Sequence, residues 1–72
     1  MDILEVLKKV KEDVDFNGSE DFIADALLDS YDIVNLVDEL EDSFSIEING
    51  SDIIPDNFVS IQKIEQLVER YR

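Results

Sequence analysis

The sequence predicts an all-α fold, an antiparallel four-helix bundle of three main helices with a short third helix before the last. Three observations point there. Apolar residues recur three and four positions apart in three separate segments. The one stretch that alternates, Ile46-Glu47-Ile48-Asn49-Gly50, has no second alternating segment to pair with, so a strand is not expected. At 72 residues the chain has room for one domain and one core, residues 1–72. A domain of this size buries only roughly 60% of its unfolded surface, so its stability is marginal.

Ile3, Leu4, Leu7, Val10 and Val14 recur at helical spacing, with Glu5, Lys8, Lys9 and Glu12 largely opposite them. This predicts an amphipathic helix over residues 2–14, broken by Asn17-Gly18. The segment 15–29 is long for a connection, and its Phe16, Phe22, Ile23, Leu27 and Leu28 must pack on the helices. A second helix is predicted over 30–43. Its buried stripe is Ile33, Val37, Leu40 and Phe44, widened by Leu36 and Val34. Asp29 or Ser30 caps its first amides, and Asp32 in the first turn suits the helix dipole. Asn35, Asp38, Glu39 and Asp42 lie opposite the stripe, giving this helix an acidic outer face. Pro55-Asp56-Asn57-Phe58 is suited to a short helical turn with Pro at its first position. Ser60 is a candidate cap for the last helix, whose apolar face is Ile61, Ile64, Leu67, Val68 and Tyr71.

Nineteen acidic residues against six basic ones give a formal net charge of -13. Such a surface repels phosphate backbones and anionic lipid, which argues against nucleic acid and membrane partners. It attracts basic protein surfaces. No basic residue stands between Lys11 and Lys63, so the middle of the chain is one-signed. Such a surface suits docking, and its plainer role is solubility. With no Cys there is no disulfide, zinc thiolate or thiol nucleophile, and with no His there is no imidazole to activate a serine. Met1-Asp2-Ile3 is not the start of a secretory signal, and no apolar run approaches a membrane span, so a soluble, cytoplasmic location is expected.

Leu27-Leu28-Asp29-Ser30-Tyr31 stands where the long connection meets the second helix. These residues resemble the acyl carrier protein family, whose attachment motif is Asp-Ser-Leu at the start of its second helix. The resemblance continues through Ile33–Phe44 and resumes at Asn57-Phe58-Val59-Ser60-Ile61, covering most of Phe22–Tyr71. It is nearest to stand-alone acyl and D-alanyl carriers bearing Leu-Leu-Asp-Ser or Leu-Ile-Asp-Ser. The resemblance implies an acyl-carrier-like bundle and a 4′-phosphopantetheine cofactor attached to Ser30 by a phosphopantetheinyl transferase. It implies acyl or aminoacyl cargo held as a thioester in biosynthesis, on a non-catalytic monomer. Partners would be an adenylating ligase and downstream transferases or synthases with basic docking surfaces. The family role of the residue at Asp29 is to assist the transferase. Tyr31, Asp32, Asn35, Asp38, Glu39 and Asp42 become candidate partner-contact residues. Two positions depart from the family pattern: Tyr31 stands where the family has Leu, and Asn35 where it often has Glu.

The location of Ser30 suits a phosphate ester, because free amides and the dipole at a helix N-terminus favour an anion. Asp29 opposes that charge. A serine at a helix start is ordinarily only a cap; the matching residues on both sides favour modification. A calcium reading competes, since Asp13-Val14-Asp15-Phe16-Asn17-Gly18 matches the first half of an EF-hand loop. The second half fails: Glu20 holds the normally apolar eighth position and Ala24 the bidentate twelfth, with Asp25 one residue late. No metal ligand set is therefore expected. A third reading is an unmodified acidic helical domain that binds a basic partner, and it differs only at Ser30. A uniformly acidic middle also loads the fold with self-repulsion. The melting temperature should rise between low and physiological ionic strength as like charges are screened. A flat profile would show that repulsion matters little.

Overall fold

In the computed structural model, which describes residues 3–72, three α-helices carry the chain: α1 (Ile3–Val10), α2 (Ser30–Phe44) and α3 (Ile61–Tyr71). Among the described residues there is no strand. The predicted start of the first helix at residue 2 lies outside the described residues. α1 ends at Val10, four residues short of the prediction. The Lys11 amide still donates to the Leu7 carbonyl at 2.9 Å, and the chain then turns through Val14 N–H to Lys11 O at 3.4 Å. Asp15 stops any continuation, because its carboxylate accepts the Asn17 amide and caps a 3-10 turn over Phe16–Gly18.

The connection that follows is ordered by its own backbone. Asp21 accepts the amides of Ile23 and Ala24, opening a short turn. That turn closes as a Schellman motif: Ala26 N–H donates to Ile23 O and Leu27 N–H to Phe22 O. Ala26 accordingly takes a left-handed conformation, φ 60°. Phe22 N–H donates to Val59 O at 2.7 Å, tying the connection to the segment before α3. The rings of Phe16 and Phe22 meet edge to face with centroids 5.0 Å apart.

α2 buries Ile33, Leu36, Val37 and Leu40, the i, i+3, i+4, i+7 stripe of an amphipathic helix. Val34, expected in that stripe, is 56% exposed, because it lies one turn beyond Tyr31 on the shoulder of the helix. Ser45, with φ 55°, terminates α2 in the left-handed region, and Ile46 N–H reaches back to Glu41 O. Ile46 and Ile48 are buried about an exposed Glu47, so the alternation is real. The Ile48 amide nevertheless donates to the Glu41 carboxylate at 2.9 Å rather than to a second strand. A 3-10 turn at Gly50–Asp52 follows. The predicted short third helix is a single 3-10 turn over Pro55–Phe58, with Pro at its head. Ser60 caps α3 by accepting the Lys63 amide at 3.1 Å.

The core gathers around Phe16, Phe22 and Phe58, with Leu7, Leu36, Leu40, Ile64, Leu67 and Val68 fully enclosed. α1 packs on α2 and α3, and the Pro55–Phe58 turn packs on α2 and α3. The radius of gyration, 10.9 Å, is that of a close-packed chain of this length, for which about 11 Å is expected. Tyr71 fixes the last turn of α3 to the preceding loop: its hydroxyl donates to the Asp52 carboxylate and accepts the Asn49 amide at 3.2 Å.

The left-handed Ala26 pays a steric cost that glycine does not. Ala26→Gly should raise stability by about 0.5–1 kcal/mol, read as a higher urea midpoint at unchanged slope. An equal loss instead would show that the entropy of the unfolded glycine chain dominates at this turn.

Candidate functional site

The head of α2 is built from side chains that satisfy its own backbone. Asp29 is the N-cap, in extended conformation, and its carboxylate accepts the Asp32 amide at 2.9 Å. Asp32 answers by accepting the Asp29 amide at 3.2 Å, which completes a capping box with Asp in place of the usual Glu. The Ile33 amide donates to Asp29 O. Of the first four amides of the helix, those of Ser30 and Tyr31 are thus left without a partner among the described residues. Ser30 is the first helical residue and is exposed, and its hydroxyl makes no hydrogen bond among the described residues. Of the two candidate caps, Asp29 takes the role, which leaves the Ser30 side chain free.

Lys11, at the end of α1, reaches across to this frame. Its ammonium stands 3.0 Å from the Asp32 carboxylate and donates to the Leu27 carbonyl at 3.2 Å. The two side chains are 34% and 12% exposed, so the pair is partly sheltered from water and stronger than an open surface pair. Burial by itself would push the Asp32 carboxyl up. The Asp29 amide that donates to it and the neighbouring Lys11 ammonium outweigh burial and hold it below the ordinary carboxylate range.

This geometry corrects one expectation. Asp32 was grouped with the partner-contact residues, but it is buried and spent on the cap and on Lys11, so it is not presented to a partner. The other residues of that group remain on the surface to different degrees. Tyr31 is 73% exposed beside Ser30. Asp38 and Asp42 are exposed on α2, while Asn35 and Glu39 are half-buried. Sequence reasoning missed Lys11, which lies 16 residues from Leu27. Its one signal was that it is the last basic residue before a long acidic stretch. The exposed pair Tyr31 and Val34, one turn apart, gives the surface beside Ser30 an apolar component.

The carboxylates of the EF-hand-like segment point elsewhere. Asp15 accepts the Asn17 amide, Asp21 two amides of its own turn, and Asp25 the Ser19 hydroxyl. Among the described residues no three acidic groups converge on a point where a cation could sit. An open cleft of about 430 Å³ lies between Phe16–Phe22 and the start of α3, and Ser30 is not among its lining residues. No helix of the described residues is long and apolar enough to cross a membrane. No protein-family model, curated protein or solved structure matches the chain.

The Asp32 frame gives a pH signature. A carboxyl whose pKa is lowered by folding contributes stability above its unfolded value, about 3.9, and loses it as pH falls through the folded value. Asp32→Asn should cost about 1–2 kcal/mol at pH 7 in urea melts. The gap to wild type should begin to shrink as pH falls below about 3.9 and close only below the lowered folded value, where the wild-type carboxyl is also neutral. A gap as large at pH 3 as at pH 7 would show that the charge of Asp32 contributes nothing.

Proposed function

We propose that this chain is an acyl carrier protein in which Ser30 bears a 4′-phosphopantetheine arm and acyl groups ride on that arm as thioesters. The observation that carries the reading is the state of Ser30. It is exposed, first in α2, and freed from capping because Asp29 and Asp32 perform that task between them. The residues around it are those that resemble the carrier motif. The order of elements, with a short turn at Pro55–Phe58 between the second and last long helices, agrees with the carrier-like bundle that the resemblance implies.

The fit to the group is good at the backbone and poor at one side chain. The unpaired amides of Ser30 and Tyr31 at the helix N-terminus favour an anion on the Ser30 oxygen. Asp29 opposes it, since its carboxylate keeps its charge while accepting the Asp32 amide. The chain contains neither Cys nor His, so the thiol that a thioester requires belongs to the arm and the base that activates Ser30 belongs to the transferase. In this reading the protein is non-catalytic, a cytoplasmic monomer that supplies an address. Asp38 and Asp42, with Tyr31 and Val34 nearer the site, would meet a partner whose surface is basic around an apolar centre. Aminoacyl cargo, D-alanyl or peptidyl, fits the same attachment chemistry and is the second reading.

Incubation with coenzyme A and a broad-specificity phosphopantetheinyl transferase should raise the intact mass by one phosphopantetheine, and Ser30→Ala should abolish the gain while keeping the helical circular dichroism. A wild-type chain left unmodified beside a modified control carrier would turn the assignment to the unmodified acidic interaction domain.

A further inference from the structure

We infer that Lys11 is a positioning residue for the modification of Ser30, acting through the two groups that bracket it. Leu27 lies three residues before Ser30 and Asp32 two after, and one ammonium holds both, the Leu27 carbonyl at 3.2 Å and the Asp32 carboxylate at 3.0 Å. This inference rests on the carrier reading of Ser30.

The capping box and Lys11 have different work. The box closes the first turn of α2 on itself, because both of its partners lie within that turn. It says nothing about where the turn stands relative to the rest of the domain. Leu28, tied back through its amide to Phe22 O, anchors the connection on one side. Lys11 adds a second attachment from a different helix. Its backbone amide continues the last turn of α1, so the ammonium works from a rigid base. The segment from Leu27 to Asp32 is thereby fixed at both ends, with the exposed Ser30 hydroxyl between them.

Charge supports the same assignment. An ester at Ser30 adds an anion to a turn that already holds Asp29 and Asp32. Between Lys11 and Lys63 the sequence has no other cation. Lys8 and Lys9, within α1, are exposed, whereas Lys11, just past its end, is half-buried against the site. Lys11 neutralises Asp32 and leaves the amides of Ser30 and Tyr31 to face the new charge.

The test measures initial rates of arm transfer from coenzyme A against chain concentration, with thermal melts in parallel, for wild type, Lys11→Met, Lys11→Arg and the double variant Lys11→Met/Asp32→Asn. Lys11→Met should lower kcat about tenfold, the cost of a displaced reacting group, with KM for the chain little changed. Lys11→Arg, which keeps a cationic donor, should recover most of the rate. The double variant should regain melting temperature, because no sheltered carboxylate is left without its cation, yet remain slow. A Lys11→Met chain modified at the wild-type rate would overturn the inference. So would a double variant that recovers rate together with stability, or a Lys11→Arg chain as slow as Lys11→Met. In each of those cases the carrier reading survives, since wild type is modified. A wild type that takes no arm overturns both.

Discussion

Nineteen carboxylates must be accommodated by six cations, and the architecture follows from where that imbalance is relieved. Most acidic side chains stay in water, where hydration and salt limit their mutual repulsion. Asp32 cannot, because the first turn of α2 folds it inward, and it is there that Lys11 is placed. A sheltered carboxylate without a cation would be costly in a domain whose margin is only a few kcal/mol. The end of α1, the end of the long connection and the start of α2 therefore meet at one ammonium. The position of Ser30 is inherited from that meeting.

Elsewhere the carboxylates are satisfied by the backbone instead of by bases. Asp15, Asp21 and Asp29 each accept amides of the turn they open, and Glu41 accepts the Ile48 amide across the bend that ends α2. Each such bond is charge-assisted and local, so it draws on none of the few cations. An acidic sequence can in this way define its loops with the same groups that make it repel itself. The long connection shows the result: it contains little regular structure, yet its course is specified by Asp caps, the Schellman turn at Ala26 and the paired rings of Phe16 and Phe22.

What was legible in the sequence is what periodicity and caps encode. The buried stripe of α2, the Ser60 cap of α3 and the turn at Pro55 could each be read from a few neighbouring residues. The early end of α1 could not, because Val14 continues the apolar period while Asp15 is taken up as the cap of the 3-10 turn that follows. The left-handed Ala26 was hidden because that conformation usually announces itself with glycine. At the candidate site, the exposure of Tyr31 agrees with its place opposite the buried stripe, whereas Ser30, seven residues before the buried Val37, is exposed at the first position of the helix. The inward turn of Asp32 was not legible, since Asp at that position serves equally as a solvent-facing charge favourable to the dipole. Its partner, Lys11, stands just past the end of α1.

The tie between Tyr71, Asp52 and Asn49 has an optical consequence. The chain has two tyrosines and no tryptophan, so its near-ultraviolet emission belongs to Tyr31 and Tyr71 alone. A phenol hydrogen-bonded to a carboxylate is quenched in its excited state, as the proton moves toward the acceptor. Tyr71 should therefore emit weakly in the folded protein, and most of the light should come from Tyr31, which stands in solvent beside Ser30. The native chain carries its own fluorophore next to the candidate site, and events there can be followed without a label.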